Sequence, residues 1–275
     1  MINWALLIEY DGAGFHGWQL QDGPTTVQAV LERAASRLTA GIRHNSIAAG
    51  RTDAGVHAAG QVAMLPLPAR YAAHQVRDAL NFQMLPHPVA VLAAAPAPPG
   101  WNPRFSAIGR SYEYRILTRP ARPTIARGHV WHIDRPLDLA AMAEAARHLV
   151  GHHDFTSFRA TACQAKSPVR TLERLEVTQH GDTILIHAEA RSFLHHQVRN
   201  MVGTLKLVGE GRWAPVRVLD ALAARSRAAA GPTAPPDGLT LTAVRYPADP
   251  FGAGPVNLVE QPPCWPRSTA APAAP

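Results

Sequence analysis

Asp53 lies in the stretch AAGRTDAGVHAAGQVAM (residues 48–64) and is the only carboxylate between Glu32 and Asp78. The same interval holds Arg33, Arg37, Arg43, Arg51, Arg70 and Arg77. An aspartate before Ala-Gly is often a turn residue that bonds its own backbone. Here Gly50 and Gly55 keep the flanking backbone lean enough for a bulky ligand to approach, and Arg51 stands two residues away. Aspartate is a carboxylate at neutral pH, so a lone one in such a loop can serve as a nucleophile or a base. Residues alone leave both readings open.

Two further stretches hold reactive side chains. GRSYEYRIL (109–117) alternates, with Tyr112, Tyr114 and Ile116 on one face and Arg104, Arg110 and Arg115 nearby in sequence. Alternating tyrosines serve a sheet face, yet a tyrosine beside arginines also stacks on a nucleobase. FLHHQVRNMVG (193–203) puts His195, His196, Arg199 and Asn200 on the polar side of an apolar helix. An arginine among apolar neighbours needs a counter-charge, because burying it unpaired costs several kcal/mol; Asp53 is one candidate. The histidine pairs 152–153 and 195–196 raise zinc, but neither has a second ligand set at metal spacing, so no metal is expected. Phosphate-binding, dinucleotide and serine-nucleophile motifs are absent.

Helices and strands must present these residues. NWALLIEYDG reads as a strand closed by an Asp-Gly turn, and TTVQAVLERAASRL as a helix with a threonine cap. GQVAMLPL is a strand, HQVRDALNFQM a helix and PVAVLAA a strand. Proline and glycine in AAAPAPPGWNP (93–103) predict a linker without regular structure. The cycle then resumes. GRSYEYRILT is a strand, LDLAAMAEAARHLVG a helix stopped at Gly151, and LERLEVTQHGDTILIHAEA a hairpin turning at residues 180–182. FLHHQVRNMVGTLKLVG and APVRVLDALAAR are helices, and GLTLTAVRYP a last strand. Helices mixed with hairpin-forming strands predict an α+β class. The expected division is an N-terminal domain over 1–104 carrying Asp53, a C-terminal domain over 105–248, and a proline-rich, partly disordered tail over 249–275.

The 275 residues carry a net charge of +7, and of 27 basic residues only Lys166 and Lys206 are lysines. That excess favours a polyanionic partner, and arginine's planar fork suits phosphate. Cys163 and Cys264 form no disulfide framework, so a reducing compartment is expected. The N-terminus lacks a basic segment before an apolar run, and prolines break the longest uncharged stretch, so neither a secretory signal nor a membrane span is expected. The residues thus describe a basic, cytoplasmic α+β protein suited to RNA, with the reaction unnamed.

The stretches YDGAGFHGWQLQ, GRTDAGVHAAGQV, RFSAIGRSYEYRI, LVGHHDFTSFR, SFLHHQVRNMVG and GLTLTAVRYP, in that order from about residue 4 to 247, resemble the TruA family of tRNA pseudouridine synthases. The resemblance implies the pseudouridine synthase fold: two α/β domains, each with a mainly antiparallel sheet, around a central basic cleft. It implies isomerisation of uridine to pseudouridine at positions 38, 39 and 40 of the tRNA anticodon stem-loop, without metal or organic cofactor, by a homodimer whose tRNA reaches both subunits. Asp53 becomes the nucleophile, attacking either the base at C6 or the sugar at C1′. Arg51 takes the space left by the flipped base and contacts phosphates. Tyr112 stacks on the uracil and is a candidate for proton transfer, Arg199 pairs with Asp53, and Leu239 forms an apolar wall. A non-catalytic RNA binder and a hydrolase that releases uracil are the competing readings.

Overall fold

The computed structural model describes residues 1–252; the predicted tail from 253 onward, with Cys264, lies outside the described residues. Strand β1 (Ile2–Tyr10) has residues 4–8 buried without a break, as expected of a strand covered on both faces. It pairs antiparallel with β3 (His57–Leu67) on one side and β4 (Val89–Pro96) on the other. A two-residue strand, β2 (Ile47–Ala48), pairs with β3.

Helix α1 (Val27–Leu38) starts where Thr26 Oγ1 accepts the Ala29 N–H at 3.3 Å, the capping geometry that satisfies a free first-turn donor. Its apolar spacing buries Val27, Val30, Leu31, Ala34 and Ala35. Helix α2 (Ala73–Met84) turns Val76, Leu80 and Met84 inward, with Gln75 accepting the Ala72 N–H at its start. These helices and the strands share one apolar cluster that includes Trp4, Leu6, Ile8, Leu65 and Leu80.

The predicted linker begins later than its composition implies. Ala93 to Pro96 continue β4 and pair with Leu7 to Trp4. β4 is the outermost strand of the sheet, where a proline removes no ladder bond.

Strand β5 (Gly109–Leu117) opens the second half, followed by β6 (Trp131–His132), α3 (Leu139–Arg147) and β7 (Gly151–Asp154). β8 (Val169–His180) and β9 (Thr183–Ala190) form the hairpin, with His180 opposite Thr183. Helices α4 (Gln197–Gly209) and α5 (Arg217–Ala223) and strand β10 (Leu239–Arg245) complete it. A second apolar cluster gathers Tyr114, Phe155, Phe158, Ile186, Met201 and Leu205.

Both halves share one sheet, in the order β4-β1-β3-β10-β5-β9-β8-β7. β10 runs parallel to β3 and antiparallel to β5 and is the only ladder between the halves among the described residues. This mixed helix content and mostly antiparallel sheet is the α+β class read from the sequence. No described helix is long and apolar enough to cross a membrane.

Candidate active site

Asp53 sits in the tight turn between β2 and β3, closed by the Val56 N–H donating to the Asp53 carbonyl at 3.1 Å. The loop after β1 cradles this turn. Trp18 N–H donates to the Thr52 carbonyl and Gly55 N–H to the Phe15 carbonyl, both at 3.1 Å. Gly12 is required by contact: a Cβ there would lie 2.1 Å from the Val56 carbonyl oxygen. At Gly17, with φ of +81°, a Cβ would come within 2.6 Å of the Thr52 carbonyl oxygen. From beneath, Tyr10 and Thr52 share a hydroxyl hydrogen bond of 2.8 Å and Gln61 donates to the Gly50 carbonyl at 2.8 Å. Burial pushes the Tyr10 phenol up to about 12, which keeps it a neutral hydrogen-bonding strut. The backbone of the turn is thus fixed while the Asp53 side chain stays 23% exposed.

The countercharge comes from the far half of the chain. Arg199, in the first turn of α4, donates from Nη1 to Asp53 Oδ2 at 3.2 Å and from Nε to the Ala234 carbonyl at 2.8 Å. Its side chain is 13% exposed. Two contacts from one planar guanidinium set its direction as well as its charge. The sequence-local arginines do not play this part: Arg43 pairs with Glu32 and Arg77 with Asp78. The helix end adds to the field, since free N–H groups at an N-terminus favour an anion.

Helix α4 starts four residues later than FLHHQVRNMVGTLKLVG implies, because His196 takes the left-handed conformation, φ 62° and ψ 6°. That bend turns both histidines to the carboxylate. His195 Nε2 lies 3.4 Å from Asp53 Oδ1, and His196 Nε2 3.4 Å from Oδ2. Two imidazoles and a carboxylate are a donor set that suits a metal, but here the Arg199 guanidinium occupies the cationic place beside the same carboxylate oxygen. Asp11, His57 and His129 also converge. There His57 Nδ1 already accepts the Gly12 N–H at 3.0 Å, and Nε2 faces the carbonyls of Gly128 and Asp237 at 2.9 and 3.2 Å. His57 ties three segments beside the turn.

Tyr112, on β5, meets Phe193 edge-to-face at a centroid distance of 5.3 Å. Burial raises its phenol well above the tyrosine range, with the charges of Tyr10 and Asp53 adding to that and Arg110 opposing it. Arg51 is exposed and enters no ion pair among the described residues. Leu239, 4% exposed, begins β10 opposite Tyr114 and packs in the second core cluster. Arg110 is not a surface cation: it is buried and its guanidinium is consumed by the carbonyls of Ala49, Arg104 and Arg191. Arg115 is held by Glu113 at 2.6 Å. Of the three arginines around the tyrosine strand, Arg104 alone is exposed without a carboxylate partner among the described residues.

The site therefore unites Asp53 with Arg199 and places Tyr112 within reach of the carboxylate's field. Sequence reasoning missed the carboxylate contacts of His195 and His196 and the cradle of residues 12–18. The doubled histidine just before the arginine-bearing helix is the signal that was there to find.

Comparison with known proteins bears on this geometry. A profile of the family described as tRNA pseudouridine synthase matches residues 6–106 and 145–247, spans that contain Asp53, Arg199 and β10. A protein of Acidiphilium cryptum (strain JF-5) named tRNA pseudouridine synthase A is 67% identical over 252 residues, covering 91% of this chain and 99% of that protein. One of the same name from Gluconobacter oxydans (strain 621H) is 54% identical over 250 residues, 90% of this chain and 91% of its own length. A third, from Paramagnetospirillum magneticum (strain ATCC 700264 / AMB-1), is 55% identical over 257 residues, 94% of this chain and all of that protein. With the profile covering both the Asp53 turn and the α4 helix, and identity this high over nine-tenths of its length, the chain belongs to the tRNA pseudouridine synthase family.

Proposed function

We propose that this chain isomerises uridine to pseudouridine at positions 38, 39 and 40 of the tRNA anticodon stem-loop, with Asp53 as nucleophile. The observation that carries the reading is the Asp53–Arg199 pair, which joins residues 146 apart in sequence and leaves the carboxylate accessible. A protein that only bound RNA would gain nothing from an acid beside its cations, because the carboxylate repels phosphate.

The target base is extruded from its stack, at a cost of a few kcal/mol. Arg51, exposed beside the turn, occupies the vacated space and contacts phosphate. The Asp53 carboxylate attacks the nucleotide and forms a transient bond that later breaks, which splits one hard step into two easier ones. Meanwhile the glycosidic N1–C1′ bond breaks, the uracil turns, and C5 bonds to C1′. Tyr112 stacks on the uracil, and Leu239 closes the pocket as an apolar wall. Arg199 holds the carboxylate in direction between the two events. The reaction is a net rearrangement, so it consumes no oxidant and needs no organic cofactor or metal. The net charge of +7 draws in the polyanion, so affinity falls steeply with salt. The enzyme works in the cytoplasm as a homodimer gripping one tRNA across both subunits.

Incubating bulk tRNA with purified protein and mapping pseudouridine by base-resolved chemistry tests the reading. Wild-type protein modifies positions 38 to 40, and Asp53→Asn binds tRNA and modifies none. Activity that survives the substitution removes Asp53 from the nucleophile role. Free uracil in place of isomerised residues identifies a hydrolase.

A further inference from the structure

The reaction leaves one proton without a carrier. On the route in which Asp53 bonds C1′, the uracil leaves with the N1–C1′ pair and its C5 displaces Asp53 from C1′. C5 is then tetrahedral and still bears its hydrogen, while N1 and C6 share a double bond. The C5–H pair must move into a C5=C6 bond, the N1=C6 pair must return to N1, and N1 must take up a proton. A group at the site has to remove the first proton. The Tyr112 phenol is poorly suited, since burial and the Asp53 charge disfavour its ionised form.

We propose that His196 is the base that takes the C5 proton and returns one to N1. This rests on the isomerase reading above. Three observations carry it. His196 Nε2 is 3.4 Å from Asp53 Oδ2, so the imidazole stands at the atom that bonds to the nucleotide. Its backbone holds a left-handed conformation, φ 62°, which a residue other than glycine rarely adopts and which persists where the surroundings enforce it. Apart from that contact its ring has no hydrogen-bond partner among the described residues, so with Nε2 turned to Asp53 the Nδ1 is open as acceptor.

The electrostatics give the base its timing. The groups facing His196 are Asp53, His195, Arg199 and Arg227; burial, His195 and the two arginines hold its pKa below the histidine range, and only the Asp53 charge opposes them. While Asp53 is esterified, that opposing charge is gone and the imidazole stays neutral. When the C5–C1′ bond has formed and Asp53 leaves as a carboxylate, the imidazole becomes more basic. The base is strengthened at the step that needs it, and the imidazolium is formed beside the regenerated carboxylate.

The test uses His196→Asn, since asparagine tolerates the left-handed backbone, and His196→Gly, which relieves it and leaves room for a small molecule. Both are compared with wild type on tRNA carrying uridine or 5-deuterouridine at position 39. Loss of a general base lowers turnover on the order of 10²-fold, with tRNA affinity unchanged. Deprotonation then limits the rate, so the variants show a primary C5 isotope effect that wild type lacks, and added imidazole restores His196→Gly. On 5-fluorouridine tRNA, where C5 has no proton to lose, both variants rebond the base as fast as wild type. Wild-type turnover in His196→Asn overturns the proposal. So does lost turnover with no isotope effect, no imidazole rescue and an equal loss on the fluorinated RNA, which marks a positioning residue. If wild type itself forms no pseudouridine, the isomerase reading fails instead.

Discussion

The link between Asp53 and Arg199 can be weighed by a double-mutant cycle on stability. Asp53→Asn deletes one charge at nearly constant size, Arg199→Gln deletes the other with a shorter side chain, and the double variant deletes both. At 3.2 Å the gross attraction is about 5 kcal/mol at an effective dielectric of about 20. The side chains are 23% and 13% exposed, so residual solvation and desolvation offset about half, leaving a coupling energy of about 2–3 kcal/mol. Each single variant strands a partly buried charge, and the double variant should therefore be no less stable than the worse of the two. Urea denaturation followed by tryptophan fluorescence reads all four proteins at one fixed pH. Additivity within about 0.5 kcal/mol would refute the reasoning, because it would show that the guanidinium neither fixes nor neutralises the carboxylate.

Two further outcomes follow from the same geometry. Gly12→Ala forces a Cβ to 2.1 Å from the Val56 carbonyl, so the cradle must move off the turn. Melting should show a loss of about 1–3 kcal/mol, and turnover should fall more steeply, since a misplacement of about 1 Å at a reacting group costs about 10²-fold. Tyr112→Phe keeps the ring against Phe193 and removes the hydroxyl. Because the ring still stacks and His196 rather than the phenol carries the proton, turnover and tRNA affinity near wild type are expected in steady-state kinetics. A loss on the order of 10²-fold would give the proton to the hydroxyl instead.

Much of this was legible in the chain because local chemistry agreed with the fold. Thr26 before an apolar period of 3.6 marks α1, and Gly181-Asp182 between alternating runs marks the hairpin. What escaped was set by neighbours. β7 is four residues long and finds its pattern only by pairing with β8. Pro96 is tolerated because β4 is an edge. His196 breaks an otherwise helical period since its backbone is dictated by what it faces. For the site, charge balance demanded a partner for Arg199 and named Asp53 as a candidate, but only the fold could show that a cation 146 residues away meets it. Nor could the sequence show that Arg110, grouped there with the tyrosine strand, is spent on three carbonyl groups.

The bridging strand has a consequence for biosynthesis. β10 is among the last described segments to leave the ribosome, yet among the described strands it alone hydrogen-bonds to both β3 and β5. Until it emerges, a nascent chain carries two unfinished half-sheets, each with an open edge of the kind that recruits other chains. Translation that stalls before residue 239 would yield a sticky fragment rather than a weak enzyme, so work cannot begin before β10 has emerged.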